Sequence, residues 1–240
     1  MNQDPALRQS IFVSVAILIA GGFVAGAILY NGAHSTGGSV AAGGQQAAPT
    51  TKPADISKVK TDGEPFIGKT DAPVVIAYWS DYQCPFCQRN EQQVIPEIIK
   101  NYVDTGKAKI VFKDYPFLGS DSVTGAEYGR SIWKLYPDQY FAWHTAMFTA
   151  QDAEGDTGFG NAASIDKLDA TIQGLDAAKI KADVASNKAA YDAQVNADKA
   201  EGSAMGIQGT PGTIIGKMLI PGALPYSAFQ DAIETALKNS

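Results

Sequence analysis

The chain has 240 residues, of which 45% are hydrophobic and 18% charged, enough apolar sequence for one well-packed domain with additional segments. The formal net charge is −6 at pH 7, the pI is near 4.9, and no cluster of Lys or Arg stands out. This balance argues against a protein that holds nucleic acid by electrostatic attraction.

The first predicted element is an apolar segment of residues 11–30, IFVSVAILIAGGFVAGAILY, which contains no charged residue. About 20 such residues match the hydrocarbon thickness of a bilayer at helical rise, so we expect an uncleaved transmembrane anchor. A cleaved signal peptide is the alternative, although its apolar centre is usually shorter, roughly 7–15 residues. Arg8 precedes the segment, and no Lys or Arg follows before Lys52. This bias predicts residues 1–10 in the cytoplasm and the rest of the chain outside it.

Residues 31–54 are dominated by Gly, Ala, Ser, Thr and Gln, a composition typical of a flexible linker. We therefore expect a tether over this range and a folded domain over residues 55–240. An extracytoplasmic location permits disulfide bonds, which bears on the only two cysteines of the chain, Cys84 and Cys87.

The two cysteines form a Cys84-Pro85-Phe86-Cys87 motif that follows the predicted strand Val74–Trp79. A Cys-x-x-Cys that opens a helix places its first cysteine where free backbone N–H groups and the helix dipole favour a thiolate. Because the thiolate is the attacking species in thiol-disulfide exchange, this layout indicates redox chemistry.

Two other interpretations of the motif remain. A structural disulfide closes a loop of about four residues, which in the loop-closure model is worth only about 2 kcal/mol. A zinc site needs four ligands, and the only histidines, His34 and His144, are not spaced as a ligand pair. Redox chemistry is the interpretation that we favour, followed by zinc.

The elements after the motif predict an α/β fold with a sheet of mixed direction. A helix with Pro96 inside it leads to the strand Lys109–Asp114, which suggests a parallel crossover. A helical stretch from about Ser122 to Met205 carries an aromatic group that is typical of a core. The chain ends with two strands, Thr213–Ile215 and Met218–Ile220, and a helix over about Tyr226–Lys238.

Charged and polar residues near these elements are expected to be structurally ordinary. His144, within the aromatic group, is interpreted as a packed or surface histidine. For Asp81, Lys113 and Asp114, exposed charges are at least as good an interpretation as site residues. The segment from Ile165 to Ala204 is expected to carry ordinary surface charge pairs.

A second informative segment is Gly206-Ile207-Gln208-Gly209-Thr210-Pro211-Gly212-Thr213. By itself it is best interpreted as a Gly/Pro loop. Combined with the cysteine motif, it resembles the thioredoxin superfamily, specifically the DsbA-like disulfide oxidoreductases, in which a helical domain interrupts the thioredoxin fold. The resemblance also rests on Tyr78–Gln83, on Phe112–Pro116 and on Pro221–Tyr226, and it implies a helical insertion over about residues 120–205.

The resemblance implies a role for each site residue. Cys84 is the exposed nucleophile, and Cys87 is the more buried resolving thiol. Pro211 is a cis-proline that faces the disulfide, and the backbone of Thr210 pairs with bound substrate as an added strand. Pro85 and Phe86 tune the potential and the substrate contact. We expect no metal site, because no loop shows a recognisable ligand pattern, and no cofactor besides the redox-active Cys84–Cys87 disulfide.

Two positions depart from the pattern of many relatives. Phe86 stands where many have a histidine that helps to stabilise the thiolate. Tyr78, six residues before Cys84, stands where many have a buried acid that carries protons. The resemblance therefore leaves the oxidising strength and the proton handling of this chain undetermined.

The sequence predicts a membrane-tethered thiol:disulfide oxidoreductase of the bacterial envelope that forms disulfides in extracytoplasmic proteins. Its expected partners are reduced or misoxidised secreted proteins and, from the family alone, a quinone-linked membrane protein that reoxidises it. A disulfide reductase or isomerase, a non-catalytic thioredoxin-like binding module and a metal-binding envelope protein are the alternatives.

Overall fold

The computed structural model describes residues 51–152 and 158–240. The predicted N-terminus of residues 1–10, the predicted span of residues 11–30 and the predicted linker up to residue 50 lie outside the described residues. Within the described ranges, every helix is too short or too polar to traverse a lipid bilayer.

A six-stranded sheet with the order β1-β6-β5-β3-β4-β2 forms the centre of the described chain. Its strands are β1 Lys52–Pro53, β2 Phe66–Ile67, β3 Val74–Ser80, β4 Ala108–Asp114, β5 Gly212–Ile215 and β6 Met218–Pro221. β3 pairs with β4 in parallel, whereas every other pair is antiparallel. This confirms the predicted α/β class with a mixed sheet.

The two short edge strands were not predicted. β1 lies within the predicted linker, yet Lys52 pairs with Leu219 and Pro53 with Met218. β2 pairs antiparallel with β4. A two-residue strand has no periodicity to detect, so the linker prediction extended two residues into the sheet.

The crossover from β3 to β4 runs through a broken helix. It consists of α1 Pro85–Gln93, α2 Ile95–Ile98 and a π-helical turn Ile99–Val103. The break falls at Val94, directly before the turn that holds Pro96. Proline has no N–H to donate to the preceding helical turn, which explains why the predicted helix is interrupted there.

Four α-helices account for most of the described residues between Ser120 and Ala204, close to the predicted insertion. They are α3 Ser120–Leu135, α4 Tyr140–Ala150, α5 Ala162–Asp169 and the long α6 Ala177–Ala204. α6 packs closely on the sheet, where the Trp79 indole N–H donates to the Asp198 carbonyl oxygen at 3.0 Å. A Cβ at Gly202 would lie 2.9 Å from that indole nitrogen, so a side chain there would push the helix away.

The C-terminal part returns to the sheet as predicted. β5 and β6 form a hairpin around Gly216, whose φ of 58° lies in the left-handed region that favours glycine. The final helix, α7 Tyr226–Leu237, packs on the sheet through the fully buried Phe229 and Ile233.

The interpretation of the charged residues as surface groups was wrong at several positions. Lys113 on β4 is 2% exposed, and its Nζ lies 2.5 Å from Asp198 Oδ1 and 3.0 Å from Glu64 Oε1. Arg130 on α3 joins the same network through Glu64, Asp114 and Asp198. Each charge is tolerated because it lies against charges of the opposite sign. The network holds β4, α3 and α6 together.

Candidate active site

Cys84 lies at the start of α1, immediately beyond the carboxyl end of β3. Its backbone is extended, with φ −82° and ψ 118°, and Pro85 occupies the first helical position. The Cys84 carbonyl oxygen accepts the first bond of the helix from Gln88 N at 3.1 Å. Proline suits this position because its N–H would be unpaired there in any case. The geometry places the Cys84 sulfur at the positive end of the helix dipole.

The surroundings of Cys84 favour its thiolate. A hydrogen bond from the Cys87 thiol, and further bonds from the backbone N–H groups of Cys87 and Phe86, lower the pKa of Cys84 to about 6 against the opposing effect of burial. A thiol with this pKa is mostly ionised at neutral pH and is correspondingly nucleophilic.

Cys87 has the opposite environment. It is fully buried, and burial together with its hydrogen bond to Cys84 raises the pKa of Cys87 well above the ordinary value. Both cysteines are thiols in the structure. The pair therefore combines one ionised sulfur with one protonated, enclosed sulfur, which suits the attacking and resolving roles that the resemblance implied.

The predicted Gly/Pro segment faces the cysteines. The Thr210–Pro211 peptide bond is cis, as the resemblance implied. The Thr210 carbonyl oxygen lies 3.5 Å from Cys84 Sγ, although 126 residues separate the two in sequence. The pairing of β3 with β5 brings them together, since both residues flank the same end of these strands.

The expectation that Cys84 is exposed was wrong for this structure. Its residue is 3% exposed, compared with 0% for Cys87. The Thr210 carbonyl oxygen is one of the atoms that lie against its sulfur. A substrate sulfur therefore has to approach Cys84 beside the cis-proline loop.

Asp81 fixes the loop that carries Cys84. It is 2% exposed, and its Oδ1 accepts a hydrogen bond from Gln83 N at 2.9 Å. Its Oδ2 accepts from Phe117 N at 2.9 Å and from Leu118 N at 3.3 Å. The interpretation of Asp81 as an exposed charge was therefore wrong. The sequence does hold a sign of this role. Asp81 follows a strand, and an Asp at such a position commonly accepts a hydrogen bond from the backbone N–H two residues later.

Two exposed aromatic residues lie next to these loops. Phe86 is 55% exposed and Phe117 48%, and they are the exposed large hydrophobic residues of the described chain. The Arg89 guanidinium lies 5.1 Å from the centre of the Phe86 ring. A cavity of about 350 Å³ adjoins the cis-proline loop, lined in part by Ile207, Thr210 and Pro221. Apolar side chains beside a reactive sulfur suit contact with an unfolded polypeptide.

A buried polar chain runs behind the cysteine helix. His144 on α4 is fully buried, with its Nε2 3.0 Å from Glu91 Oε1 and its Nδ1 2.9 Å from the Tyr82 hydroxyl. The interpretation of His144 as a packed residue is confirmed. Its link to Glu91 and Tyr82 was missed, because residues more than 50 positions apart in sequence form it.

Residues 51–152 and 158–240 contain no group of three or more His, Cys, Asp or Glu side chains arranged to hold a metal ion. Within these ranges, the zinc alternative gains no ligands beyond Cys84 and Cys87.

Comparison with known proteins identifies relatives over most of the chain. Residues 60–235 match a protein family described as Thioredoxin. Disulfide bond formation protein D of Bacillus subtilis is 28% identical over 177 residues, which cover 73% of this chain and 78% of that protein.

Two solved structures agree with this relationship. The structure of oxidised BdbD from Bacillus subtilis superposes with a TM-score of 0.68 at 26% identity, covering 78% of this chain and 97% of that one. A periplasmic thioredoxin-like protein from Salmonella enterica serovar Typhimurium gives a TM-score of 0.58 at 25% identity, covering 73% and 90% of the two chains. Together with the geometry of the cysteines, these relationships establish that the chain belongs to the thioredoxin family and is a thiol:disulfide oxidoreductase.

Proposed function

We propose that Cys84 and Cys87 are the redox-active pair of a disulfide-donating enzyme that acts on extracytoplasmic proteins. One observation carries the proposal: Cys84 combines a lowered pKa of about 6 with a place opposite the cis-proline loop, whereas Cys87 is enclosed and has a raised pKa. The name of the Bacillus subtilis relative, disulfide bond formation protein D, supports the same direction of transfer.

The proposed reaction starts from the Cys84–Cys87 disulfide. A substrate thiolate attacks Cys84 Sγ, the Cys84–Cys87 bond breaks, and Cys87 leaves as a thiolate that takes up a proton. A second substrate thiolate then attacks the substrate sulfur of the mixed disulfide, and Cys84 leaves as a thiolate. The substrate loses two electrons and gains a disulfide, while the protein is left as a dithiol.

The thiolate of Cys84 favours this direction. Ionisation stabilises only the reduced form, and a pKa of about 6 stabilises it at pH 7 by about 1.4 kcal/mol, or about 30 mV, relative to an ordinary cysteine. The proposed roles of the neighbours are those that the resemblance implied. The Thr210 backbone pairs with substrate as an added strand, Pro211 faces the disulfide, and Pro85 and Phe86 tune the potential and the substrate contact.

The proposed location is the outer side of the cytoplasmic membrane of a bacterium, with residues 11–30 as the anchor. The uncharged composition of that segment supports a membrane anchor. The periplasmic thioredoxin-like relative supports an extracytoplasmic position for the folded domain. Confinement near the bilayer raises the effective concentration of the enzyme at a quinone-linked membrane protein that reoxidises it. Loss of the protein from the membrane fraction after deletion of residues 1–30 tests the anchor.

The experiment for the function uses the full-length protein in detergent. We expect the oxidised protein to form a disulfide in a reduced two-cysteine peptide, the Cys84→Ala variant to be inactive, and the Cys87→Ala variant, mixed with an oxidised peptide, to accumulate a mixed disulfide. Equilibration with glutathione then fixes the direction. A potential well above about −270 mV, the thioredoxin value, supports an oxidase. A potential near that value, or peptide binding without exchange, contradicts the proposal in favour of a reductase or a binding module.

A further inference from the structure

Glutamine side chains hold the segment that carries Cys84 on both sides. Gln83 directly precedes Cys84, Gln88 lies four residues after it, and Gln151 caps the end of α4. Each of the three donates a side-chain N–H to a backbone carbonyl oxygen, and each bond joins the cysteine segment to the helical segment of residues 120–204. None of the three contacts is between residues that are close in sequence, so the fold alone creates them.

Gln151 connects the end of α4 with the residue two positions before Cys84. Its backbone leaves the helix, with φ −54° and ψ 133°, and its Nε2 donates to the Tyr82 carbonyl oxygen at 2.6 Å. The Tyr82 ring packs on the same helix, with centroids 5.1 Å from Phe148 and 5.4 Å from Trp143. The helical segment therefore fixes both the backbone and the side chain of Tyr82.

Gln88 joins the same two elements after the cysteine. Its backbone N–H donates to the Cys84 carbonyl oxygen at 3.1 Å, and its Nε2 donates to the Phe148 carbonyl oxygen at 2.9 Å. Phe148 lies in the last turn of α4, where carbonyl groups have no donor within the helix. One residue thus binds both Cys84 and the end of α4.

Gln83 forms the third connection. It is 1% exposed, its backbone N–H donates to Asp81 Oδ1 at 2.9 Å, and its Nε2 donates to the Phe159 carbonyl oxygen at 3.0 Å. A Cβ at Gly160 would lie 2.0 Å from this Nε2. The lack of a side chain at Gly160 therefore lets the segment before α5 pack directly on Gln83.

The position of the Cys84 sulfur depends on the segment that these bonds hold. The Cys84 N–H donates to the Asp81 carbonyl oxygen at 3.0 Å and closes a turn over residues 81–84. From this turn, Sγ has to lie at the start of α1 and 3.5 Å from the Thr210 carbonyl oxygen. Hydrogen bonds weaken steeply with distance and angle, and those to an ionised group are the strongest. A small movement of the turn therefore changes how well the thiolate is stabilised.

We propose that Gln83, Gln88 and Gln151 are positioning residues through which the helical segment holds Cys84 Sγ between the start of α1 and the cis-proline loop. They act through the backbone on either side of the cysteine. The inference rests on the proposed function, since it concerns the thiol that attacks and leaves in that reaction. It makes the helical segment a determinant of the oxidising strength of the site.

The test measures the ionisation of Cys84 and its exchange equilibrium in the full-length protein in detergent. The variants Gln83→Met, Gln88→Met and Gln151→Met keep the length of the side chain and remove the N–H donor. Gln92→Met is the matched control, because Gln92 is exposed one turn after Gln88 on α1 and Met and Gln have similar helix propensities. Thiolate absorbance gives the midpoint of ionisation, equilibration with glutathione gives the ratio of dithiol to disulfide, and unfolding in urea gives the stability.

The parent should titrate with a midpoint near 6. We expect each of the three variants to raise this midpoint by about 0.5 to 1 unit, which is about a threefold to tenfold decrease in the ionisation constant of Cys84. Because the thiolate stabilises only the reduced form, the glutathione equilibrium at pH 7 should shift toward the protein disulfide by about three- to fivefold. Gln92→Met should change neither quantity.

A merely structural role predicts a different result. Lower stability in urea, with the midpoint and the glutathione equilibrium of the parent, would overturn the positioning role and leave the proposed function intact. Should the buried variant Gln83→Met not fold, Gln88→Met and Gln151→Met provide the same comparison. Failure of the parent itself to exchange disulfides with glutathione would instead contradict the proposed function.

Discussion

At the scale of single residues, the reactivity of Cys84 depends on how the loop before it is held. Asp81 accepts hydrogen bonds from three backbone N–H groups, one in the Cys84 loop and two in the segment after β4. These three bonds tie the two segments together through one carboxylate. Asp81 therefore controls both the stability of the site and the position of the Cys84 sulfur.

Replacement of Asp81 by Ala leaves one buried N–H group, that of Gln83, and two partly buried ones, those of Phe117 and Leu118, without this acceptor. We expect a loss of about 2–4 kcal/mol in the free energy of unfolding, measured with urea, and slower alkylation of Cys84. Asp62→Ala, at an exposed position, is the control and should change the stability by less than about 0.5 kcal/mol. Equal stability of the two variants would show that Asp81 does not hold the loop.

Phe86 offers a second test at this scale. A histidine at this exposed position, beside Cys84 at the start of the helix, adds a cation near the thiolate. We expect Phe86→His to lower the pKa of Cys84 below about 6. Each tenfold increase in the acidity of the thiol corresponds to about 1.4 kcal/mol, or an increase of up to about 30 mV in potential. The glutathione equilibrium measures this. Phe86→Leu should leave the potential unchanged, and an unchanged potential in Phe86→His would refute the argument.

Residue by residue, the sequence located the groups whose chemistry is visible locally. The cysteines were found because few alternatives explain a Cys-x-x-Cys after a strand. The cis-proline followed only from the family resemblance, since the segment around Thr210 was by itself best interpreted as a Gly/Pro loop. The contacts of Asp81, Glu91 and His144 were not recognised, since they involve partners that only the folded chain brings close. The identity of a charged residue does not show whether the folded chain will bury it.

At the scale of elements, the attachment of the helical segment to the sheet depends on the buried charges around Arg130. The guanidinium binds Glu64, Asp114 and Asp198. Removing it leaves three acids with Lys113 as the remaining cation of the network. Loss of one partner from a buried network is costly because the remaining charges stay desolvated.

We therefore expect Arg130→Ala to lower the free energy of unfolding by about 3–5 kcal/mol. Lys134→Ala provides the matched control on the same helix, since the Lys134 side chain is 49% exposed, pairs with Asp183 and lies 5.9 Å from the centre of the Tyr191 ring. It should cost less than about 1 kcal/mol. Denaturant unfolding of both variants measures the two changes in the free energy of unfolding. Similar decreases in the two variants would argue against a structural role for the buried network.

Asp169 on α5 predicts a pH dependence of stability. Burial raises the pKa of Asp169 to about 6, with the Trp143 indole N–H bound to its Oδ1 at 2.7 Å. An acid whose pKa is higher in the folded state holds its proton longer there, so its contribution to stability falls as pH rises from about 4 to about 6 and then levels off.

The Asp169→Asn variant removes this titration. Relative to the parent, we expect its free energy of unfolding to increase by about 1–3 kcal/mol when the pH is raised from 4 to 7. Subtracting the parent removes the contributions of all other acids. A difference between the two proteins that stays constant across this pH range would contradict the assignment.

Elements with a long periodic pattern were predicted from the sequence, and short ones were not. β3, β4 and the hairpin of β5 and β6 were placed within one or two residues. β1 and β2 were missed because each has two residues and is defined only by its pairing. The break at Val94 followed from Pro96, as the covalent structure of proline requires.

At the scale of the whole molecule, the fold brings together two sequence motifs that are chemically weak alone. The cysteine motif supplies the thiol at the start of a helix. The cis-proline loop places a backbone carbonyl group 3.5 Å from that sulfur, next to the position where a substrate would approach. The helical segment adds His144 behind the same helix. The sheet, the inserted helices and the cysteine motif thus all contact the candidate site.

The central claim is that Cys84 is an acidic thiol because the Cys87 thiol and the backbone N–H groups of Cys87 and Phe86 donate hydrogen bonds to its sulfur at the start of α1. Thiolate absorbance of the reduced full-length protein, titrated with pH and compared with the Cys84→Ala variant, measures it most directly. The structure predicts a midpoint near 6 that disappears in the variant. A midpoint near about 8.5, the value of an ordinary cysteine, would contradict the account.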